Sequence, residues 1–531
     1  MRQKDPAGYS NMKNMKRLRY ITAFISLLLC VLCASQTVVH IEDPELWAAE
    51  DLSPYAGQTI RFDVPFYVTN NYNGNYIVSP RRIFSPTNQE YPKTTEYETL
   101  VTRNSRGTVT LTGVSGYHRM GERLTGLTVR VNSTSSLQMV SGNWYGNTRS
   151  ELEKGMPSVD RLGEHSLLVC AFNLEYYLVE NLGTGYGPDN QSQHNRQKQK
   201  IGKALDKIRA DVFGFVEIEQ GQAALQELAQ MLTELTGREY SYIDDGGSSS
   251  GSYTKSGYVY CTETLEPIGN MRSNNTRVQN RKKMQAFEEK TTGERFIFSI
   301  NHFKAKSGTG TGMNADQGDG QGIFNYDRVQ EAQSVLTDYQ SNRAYYGDAD
   351  ILIMGDLNAY GKEDPITTLT RGGMTDLHRY FHQDSSYSYV FHGQAGYLDH
   401  ALANSTMLDQ VTGVTAYHIN SDEDDGYTYD GRSSDLTMFR CSDHDPVIVG
   451  LRLGSSHSDL QVVEVAFSGN GLHINRAEGG YYIVSDLQGA HICQGAINNN
   501  DFRIDCPLDS GFYIVTVYAH GKVETHKLMV M

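Results

Sequence analysis

Residues 165–453 contain a series of short apolar segments that end in polar residues, and this pattern limits the fold of the chain more than any other feature. The segments LLVCAFNL, VFGFVEI, RFIFSINHF and ILIMGDLNA are typical of buried strands. Residues 196–210 and 222–236 instead show the apolar spacing of amphipathic helices. We therefore expect a domain of strands and two helices whose strand ends present functional side chains on loops.

The length of the chain requires more than this one domain. A chain of 531 residues is too long for a single hydrophobic core, so we expect about two to four domains. Residues 36–160 alternate polar and apolar positions between Gly, Asn and Pro turns, which predicts a small all-β accessory domain. Residues 459–531 contain four to six short strands with Gly turns, which predicts a compact β-sandwich.

The first 35 residues predict a targeting segment. Basic residues precede the apolar run of residues 20–33, and small residues follow at Ala34 and Ser35. The run is shorter than the roughly 20 residues of a membrane span, which favours a signal peptide over residues 1–35 rather than an uncleaved anchor. Because no later segment is apolar enough to span a bilayer, we expect no membrane span after signal cleavage.

The charge of the chain excludes one class of nucleic-acid protein. A net charge of −15 argues against coating nucleic acid by bulk charge, but it leaves room for an enzyme with one local site. Residues 272–283 contain five positive charges and no negative one, and Lys304 and Lys306 follow a histidine motif. Such groups can position phosphates without reading sequence. An ordinary solvated loop explains residues 272–283 equally well.

Two other features predict no further metal or redox chemistry. After signal cleavage five cysteines remain, none in a zinc-ligand or Cys-x-x-Cys spacing, and Cys493 and Cys506 lie close enough in sequence to pair. The acidic run of residues 422–425 fails the pattern of a calcium-binding EF-hand loop, so a solvated acidic loop is expected there.

Six motifs near strand ends carry most of the candidate chemistry. They are Phe172-Asn173, Val216-Glu217-Ile218, Asn301-His302-Phe303-Lys304, Gly355-Asp356-Leu357-Asn358-Ala359, Leu398-Asp399-His400 and Ser442-Asp443-His444-Asp445-Pro446. Each motif alone is a weak signal, because a strand-terminal Asp is usually a cap or turn residue and a lone His is usually structural. Their number and order make the joint signal strong.

Hydrolysis of a phosphodiester explains these residue types. The reaction needs a hard cation, and Mg²⁺ prefers carboxylate oxygens such as those of Glu217, Asp356 and Asp443. It also needs a base for the attacking water and an acid for the leaving oxygen. His302 and His444 can serve as either, since histidine titrates near neutral pH.

These motifs resemble the endonuclease/exonuclease/phosphatase superfamily, which has the DNase-I-like fold, over residues 165–453. The segments 210–219, 317–328 and 386–403 are most similar to bacterial extracellular nucleases. The resemblance implies an α+β catalytic domain, a four-layer α/β/β/α sandwich. A small all-β domain, similar to an OB-fold or purely structural, would precede it, and a small β-sandwich would follow.

The resemblance also implies roles for individual residues. Glu217 and Asp443 would bind the metal, which is Mg²⁺ with Mn²⁺ or Ca²⁺ as alternatives. The substrate phosphate would be contacted by Asn173, Asn358, Lys304 and Arg328. The catalytic residues would be His302, Asp356, Asn358, Asp399 and His444. His302 would be the acid-side histidine, and Asp399 would orient His444 as the general base. The division of acid and base roles between the histidines stays open, and no carboxylate partner of His302 is evident.

The C-terminal unit resembles the sorting domain of the type IX secretion pathway of Gram-negative bacteria. The similarity lies in residues 482–489, 510–515 and 527–530. It implies a secreted or surface-attached protein that meets the type IX secretion machinery and has no stable protein partner. An immunoglobulin-like spacer or carbohydrate-binding domain is the alternative.

We therefore expect a secreted, metal-dependent nuclease that hydrolyses extracellular DNA, or RNA, by water attack on phosphorus. One alternative is a phosphodiesterase or phosphatase acting on lipid or sugar phosphates. The lipid enzyme would need an exposed apolar hairpin, and the only tryptophans, Trp47 and Trp144, lie in the N-terminal domain. A second alternative is a non-catalytic surface adhesin, but the presence of both His302 and His444 argues against it.

Overall fold

The structure is a computed structural model that describes most of the chain from residue 37 to residue 530. Its gaps are residues 73, 156–161, 247–252, 274–280, 383–384, 425–433, 455–463, 469–470, 476, 478, 487–489, 500, 505–507, 509–510 and 520–521. The expected signal peptide, Cys506 of the expected disulfide, and parts of the basic segment and of the sorting motif therefore lie outside the described residues.

The N-terminal unit is built around a closed ring of strands. Its strands are β1 (Thr37–Val39), β2 (Thr59–Phe62), β3 (Phe66–Tyr72), β4 (Asn75–Ser79), β5 (Val109–Thr112), β6 (Arg123–Ser133) and β7 (Ser136–Tyr145). Strands β3, β4, β5, β7 and β6 pair in that order, and β6 pairs back to β3. Closure leaves these five strands without a free edge. We refer to this unit as the barrel.

The N-terminal unit is strand-rich, as expected of an all-β domain, and it also contains short helices that the sequence did not predict. They are a 3₁₀ helix (Ala49–Tyr55), α1 (Pro86–Gln89), α2 (Thr95–Arg106) and α3 (Arg149–Leu152). Helix α2 begins where the Thr94 side chain accepts a hydrogen bond from the Tyr97 amide. The apolar pattern of α2 is weak, because Leu100 is the one buried apolar residue in this helix. The sequence, interpreted as alternating strands in this region, therefore did not predict the helix.

The central unit contains two six-stranded sheets. Its strands are β8 (Leu167–Tyr177), β9 (Val212–Glu219), β10 (Tyr240–Tyr242), β11 (Thr254–Cys261), β12 (Leu265–Ser273), β13 (Lys282–Glu289), β14 (Arg295–His302), β15 (Ile351–Asp356), β16 (Thr375–Asp376), β17 (Tyr389–Phe391), β18 (Gln394–Gly396), β19 (Asp399–Ala403), β20 (Val411–Ala416) and β21 (Val447–Leu451). The first sheet has the order β10-β11-β9-β8-β21-β20 and the second β12-β13-β14-β15-β19-β16, while β17 and β18 form a separate hairpin.

Helices cover the outer faces of both sheets. They are α4 (Gln191–Ile208), α5 (Ala223–Thr236), α6 (Asn325–Tyr346), α7 (Asp364–Arg371), α8 (Leu377–His382) and α9 (Ser405–Leu408), with a 3₁₀ helix at Gly312–Asn314. Buried side chains such as Val169 and Phe298 fill the space between the sheets, Leu205 packs under the first sheet, and Val335 packs under the second. This arrangement agrees with the expected four-layer α/β/β/α sandwich, and α4 and α5 are the two helices that the sequence predicts.

The C-terminal unit is a small two-sheet structure. Its strands are β22 (Glu464–Ser468), β23 (Gly471–Asn475), β24 (Tyr481–Asp486), β25 (His491–Ala496), β26 (Asp501–Ile504), β27 (Gly511–Ala519) and β28 (Lys522–Val530). They form a three-stranded and a four-stranded sheet around a core that includes Leu472, Val484 and Val515. Within the part of the chain that the structure describes, no helix combines the length and the apolar character needed to cross a membrane.

The barrel and the central unit are joined by buried charges. Asp422 and Glu423 are 0% exposed, so the expectation of a solvated acidic loop is wrong for them. Arg82 of the barrel donates to Asp422 at 2.5 Å, and Glu423 accepts from both Arg119 and Arg149. A carboxylate can be buried at acceptable cost only beside such cationic partners. The acidic run is therefore an attachment site for the barrel.

A hairpin of the central unit completes this junction. Val390 and Ala395, from β17 and β18, are buried in the apolar core of the barrel. The Ala395 backbone accepts a hydrogen bond from the Ser85 amide at 2.8 Å and donates one to the Ile83 carbonyl at 2.9 Å. The two units therefore share part of one core.

Candidate active site

Strand pairing brings three of the predicted residues side by side. His302 pairs with Asp356 in the parallel register of β14 and β15, and Asp356 pairs with Asp399 in the antiparallel register of β15 and β19. Asn173 comes from β8 of the other sheet, and its side-chain amide donates to Asp356 Oδ2 at 3.2 Å. The site therefore lies where the ends of the two sheets meet, with Asp356 as the link between them.

His444 and Asp399 form a buried hydrogen-bonded pair. His444 Nδ1 lies 2.7 Å from Asp399 Oδ2, which also accepts from the Ser388 hydroxyl at 2.7 Å. The Tyr389 ring packs on the imidazole, with 4.7 Å between ring centroids. Burial lowers the pKa of His444, but the carboxylates of Asp399, Asp443 and Asp356 outweigh it and raise the pKa well above its usual value. His444 is thus oriented at Nδ1 and carries its reactive nitrogen, Nε2, toward the other acidic groups.

Asp356 is held by three amide donors. The Asn358 backbone donates to its Oδ1 at 2.9 Å, and the side chains of Asn358 and Asn173 each donate to its Oδ2 at 3.2 Å. Burial raises the pKa of Asp356 to about 7, with His444 acting in the opposite direction and Asp399 adding to the rise. Asn358 adopts a left-handed backbone conformation, with φ at +49°, which turns its side chain back to the carboxylate.

His302 has the carboxylate neighbours that the sequence did not reveal. Its Nε2 lies 3.6 Å from Glu217 Oε1 and 3.7 Å from Asp356 Oδ2. Burial lowers the pKa of His302 well below its usual value, and the positive charges of Arg281 and His444 lower it further. The pKa values of the two histidines are therefore shifted in opposite directions, that of His444 upward and that of His302 downward. The expected split, with His302 as acid and His444 as base, stays a prediction.

Three carboxylates at the edge of this cluster have the character of a cation site. Burial raises the pKa of Glu217, and Asp443 adds to that rise. Burial and Asp443 likewise raise the pKa of Glu175 well above its usual value. Among the described residues, Glu175 Oε2 and Asp443 Oδ1 are buried oxygens without a hydrogen-bond partner. Buried oxygens of this kind fit a hard divalent cation, which would offset their mutual repulsion.

Glu217 and Asp443 were predicted as metal ligands, whereas Glu175 was missed. Residues 173 and 175 lie on the same face of a regular strand, and this alternation is the signal that could have indicated it. In the structure β8 contains a bulge after Asn173. Between the pairs Asn173–Val216 and Tyr177–Ile218, β8 advances by four residues and β9 by two. The bulge turns Glu175 toward the site, a frequent role of bulges beside active sites.

Among the described residues, the group whose ligand atoms are close enough to hold one metal ion is Asp356, Asp399 and His444. These atoms all lie within 4.8 Å of one another. However, Asp399 Oδ2 already accepts two hydrogen bonds, and both oxygens of Asp356 accept amide donors. Glu217 and Asp443 border this group, since Glu217 Oε1 lies 3.6 Å from His302 Nε2 and Asp443 Oδ1 lies 3.8 Å from His444 Nε2.

The two predicted basic phosphate ligands differ in placement. Lys304 is partly exposed, and its Nζ lies 4.3 Å from the centre of the Phe324 ring. Arg328 is fully buried and donates to the carbonyls of Gln321, Ile323 and Lys304 at 2.8, 2.9 and 3.2 Å. Since these donors are already used, Arg328 supports the loop after His302 in this structure, contrary to the expected phosphate contact.

Comparisons with known proteins bear on the same region. The model of the Endonuclease/Exonuclease/phosphatase family matches residues 172–444, a range that includes every residue of the cluster. A comparison with curated proteins found no match. Among solved structures, an endonuclease/exonuclease/phosphatase from Bacteroides vulgatus is 15% identical, with 54% of this chain and 98% of that chain covered and a TM-score of 0.38.

Two further solved structures are similar at the same level. The human nocturnin catalytic domain is 12% identical, with 54% of this chain and 94% of that chain covered and a TM-score of 0.36. A mannosyl-6-phosphatase from Bacteroides thetaiotaomicron is 18% identical, with 54% of this chain and 100% of that chain covered and a TM-score of 0.35. The match to the family model spans more than half of the 531 residues. The chain therefore belongs to the endonuclease/exonuclease/phosphatase family, whose members hydrolyse phosphoester bonds.

Proposed function

We propose that this protein is a divalent-metal-dependent phosphodiesterase that cleaves nucleic acid. The observation that carries the proposal is the convergence of the His444–Asp399 pair, His302 and the carboxylates of Glu217 and Asp356 in one buried cluster. Such a cluster supplies proton-transfer groups and cation ligands within a few ångströms, as hydrolysis of a phosphodiester requires.

The residues of the site would have different roles in the reaction. A divalent cation held by Glu175, Glu217 and Asp443 would supply positive charge to the phosphoryl oxygens. His444, oriented by Asp399, moves a proton at Nε2, and His302 Nε2 is the second proton-transfer atom.

Two asparagines hold the Asp356 carboxylate in place. Asn358 Nδ2 donates to Asp356 Oδ2 at 3.2 Å and to the Phe303 carbonyl at 3.1 Å, and Asn173 Nδ2 donates to Asp356 Oδ2 at 3.2 Å. A phosphate contact by Asn358 would therefore require it to exchange one of these hydrogen bonds for the phosphate oxygen.

A polyanionic substrate is favoured by the cations beside this cluster. Burial lowers the pKa values of both His302 and Lys304, and the positive charge of Arg281 lowers them further. Arg281 is therefore close to the site and to the loop that follows His302. Lys304 adds a second partly exposed cation. Cations in such positions neutralise and position backbone phosphates.

The proposal includes export. Residues 1–35 have the pattern of a signal peptide, and residues 459–531 resemble a secretion sorting domain. An exported nuclease would act on DNA, or RNA, outside the cell, with Mg²⁺ as the expected metal.

Plasmid cleavage tests the activity directly. Mature protein, residues 36–531, is incubated with supercoiled plasmid and Mg²⁺, and the His444→Ala variant and EDTA serve as controls. We expect nicking that EDTA abolishes and that the variant lowers by about 10²- to 10⁴-fold, the usual contribution of a general acid or base. Intact plasmid with folded, metal-loaded protein would overturn the endonuclease proposal, and cleavage of a lipid or sugar phosphate instead would replace it.

A further inference from the structure

We propose that Tyr176, Tyr186 and Tyr253 form a stacking site for an unpaired nucleobase beside the phosphoester-hydrolysing centre. We call these three residues the tyrosine ladder. The proposal rests on the proposed function and extends it, because it specifies a substrate whose bases are exposed, such as single-stranded DNA or RNA.

The three rings form a continuous aromatic surface. The rings of Tyr176 and Tyr186 are stacked, with 4.8 Å between centroids and 20° between planes. Tyr253 continues the row, 6.0 Å from Tyr186 at an angle of 43°. Tyr186 and Tyr253 are 50% and 49% exposed, which is high for rings of this size. Part of this planar surface is therefore available to a ligand.

The backbone is arranged to present the first ring. Tyr176 lies in the bulge of β8 and has φ at +59°, a conformation that a tyrosine rarely adopts. Glu175, one residue earlier, is also left-handed, with φ at +44°. The same bulge turns Glu175 toward the proposed cation site. Tyr176, the first ring of the ladder, is therefore next to one of the proposed metal-binding carboxylates. Unusual backbone conformations of this kind concentrate at functional sites.

A glycine-rich loop brings the second ring against the first. Tyr186 lies between Gly185 and Gly187, and a Cβ atom at Gly187 would lie 2.5 Å from the Tyr176 carbonyl oxygen. Gly187 has φ at +62°, so both its conformation and its close approach require glycine. The loop is closed by a hydrogen bond from the Gly183 amide to the Pro188 carbonyl at 3.1 Å. The third ring is fixed by its backbone, since the Tyr253 carbonyl accepts from the Gln220 amide at 3.0 Å.

The ladder is adjacent to the catalytic cluster. Tyr176 directly follows Glu175, and the next residue, Tyr177, pairs with Ile218, the neighbour of Glu217, in the register of β8 and β9. Tyr176 therefore lies beside two carboxylates of the cluster. A nucleotide with its phosphate at Glu217 and Arg281 would have its base within reach of the ladder.

A nucleobase suits this surface better than the other phosphoester substrates. Aromatic rings in a row bind successive unpaired bases by stacking, without regard to sequence. Bases inside a duplex are covered by their neighbours and cannot reach such rings. The ladder ends in phenol groups and contains no aliphatic residue, unlike a segment that inserts into a bilayer.

Binding to matched oligonucleotides tests the ladder separately from catalysis. Full-length mature protein carrying His444→Ala, in Mg²⁺, is titrated by fluorescence anisotropy with a labelled thymidine 12-mer and with an abasic 12-mer of the same backbone. We expect Tyr186→Ala to weaken binding of the thymidine oligomer by about ten-fold, a typical stacking contribution. Binding of the abasic oligomer should change by less than about two-fold, since the phosphate contacts remain.

Two further variants control for folding and for general surface effects. Tyr186→Trp retains an aromatic ring and should keep the affinity for the thymidine oligomer. Tyr380→Ala removes a ring of similar exposure, 46%, on α8 and should leave both affinities unchanged. Equal effects of Tyr186→Ala on the two oligomers, or no effect on either, would overturn the ladder proposal.

Failure of the ladder and failure of the proposed function give different results. The protein with His444 intact is assayed for cleavage of both oligomers in Mg²⁺. Cleavage of both without any dependence of binding on Tyr186 would retain the nuclease and reject the ladder. Absence of cleavage with a base-dependent loss of binding in Tyr186→Ala would reject the nuclease and retain the ladder as a base-binding site. Competition by mannose 6-phosphate as strong as that by thymidine monophosphate, with the same dependence on Tyr186, would reject the nucleobase as ligand.

Discussion

Asp399 affects the site through the imidazole that it holds. Its Oδ2 accepts hydrogen bonds from His444 Nδ1 and from the Ser388 hydroxyl, and it is 2% exposed. Its charge helps to keep the pKa of His444 high. We expect Asp399→Asn to lower kcat by about 10²- to 10⁴-fold, because an amide that donates to Nδ1 favours the wrong tautomer of His444 and has no negative charge to stabilise the protonated imidazole. KM should change little.

The kinetic test is a comparison of kcat and KM on one phosphodiester substrate at saturating Mg²⁺. The unfolding midpoint of the variant is measured in parallel to separate catalytic from structural loss. An unchanged kcat with a raised KM would show that Asp399 contributes to substrate binding instead.

Glu175 provides a second prediction at the level of single residues. Its Oε2 is buried, and burial together with the nearby Asp443 carboxylate raises the pKa of Glu175, with Arg440 acting in the opposite direction. If a cation is what stabilises this group, Glu175→Gln should weaken Mg²⁺ binding by roughly ten-fold or more. Calorimetric titration of Mg²⁺ without substrate measures this, with Glu180→Gln as an exposed control nearby. Equal Mg²⁺ affinity in wild type and Glu175→Gln would exclude Glu175 from the site.

Residue types and order could be predicted from the sequence, but their geometry could not. The sequence indicated His302, Asp356, Asp399 and His444 because each lies in a polar motif near the end of an apolar segment. The carboxylate neighbours of His302, Glu217 and Asp356, could not be predicted from the sequence. Their positions depend on how the strands of the two sheets come together, and no local sequence pattern indicates this. Glu175 was missed because the bulge that directs it is a property of strand pairing.

Among the elements, helix α6 carries a buried acidic residue. Glu331 is 1% exposed, and its Oε2 accepts from the Lys304 amide at 2.7 Å. Burial raises the pKa of Glu331 from 4.5 to about 7, although this hydrogen bond opposes the rise. The folded protein therefore binds a proton more tightly than the unfolded chain does. Its stability should fall as the pH rises from about 4.5 to about 7.

Glu331→Gln tests this interpretation. The amide keeps an oxygen for the Lys304 backbone but has no charge to bury, so we expect the variant to be more stable than wild type above pH 7. The pKa difference corresponds to roughly 3 kcal/mol as an upper value. Urea unfolding at pH 5 and pH 8 measures it, and the two proteins should converge at the lower pH. A parallel pH dependence in both would show that another group is responsible.

Helices could be predicted from the sequence only where their buried face is apolar. Helix α4 buries Ile201, Leu205 and Ile208 at regular spacing, and the sequence predicted it. Helix α6 is longer, 22 residues, yet its buried side includes Arg328 and Glu331, so that apolar periodicity does not show it. Helix α2 was missed for a related reason, since it depends on the Thr94 cap more than on an apolar face.

At the scale of the whole molecule, the junction of the barrel and the central unit depends on buried charge pairs. Arg119 and Glu423 are 1% and 0% exposed and lie more than 300 residues apart in sequence. We expect Arg119→Met to destabilise the protein by about 3 kcal/mol, because the buried Glu423 carboxylate would keep its charge but lose one of its two cationic partners, with Arg149 and the Tyr117 hydroxyl remaining. Denaturant unfolding measures the loss.

A double variant separates charge from packing at this junction. Arg119→Met combined with Glu423→Gln removes both members of the pair and should recover most of the lost stability, since no uncompensated charge remains. If the double variant is as unstable as the single one, the contacts of Arg119 with the Asn147 and His418 carbonyls are the dominant contribution.

The sequence predicted three units, but it did not indicate how closely the first two pack together. The acidic run has the composition of a solvated loop, and only its partners, Arg82, Arg119 and Arg149 of the N-terminal region, explain why it is buried. Contacts between residues so distant in the chain leave no periodic pattern from which they could be predicted.

The shared hairpin has a consequence for protein engineering. Val390 and Ala395 complete the barrel core although they belong, by sequence position, to the central unit. A barrel excised at the predicted boundary near residue 160 would lack these two side chains and expose the surface that they cover. The barrel alone therefore cannot be transferred to another enzyme as an independent domain. A fusion protein that contains the barrel would also have to contain the β17–β18 hairpin. Exchange of this accessory unit between enzymes requires two cuts in the chain rather than one.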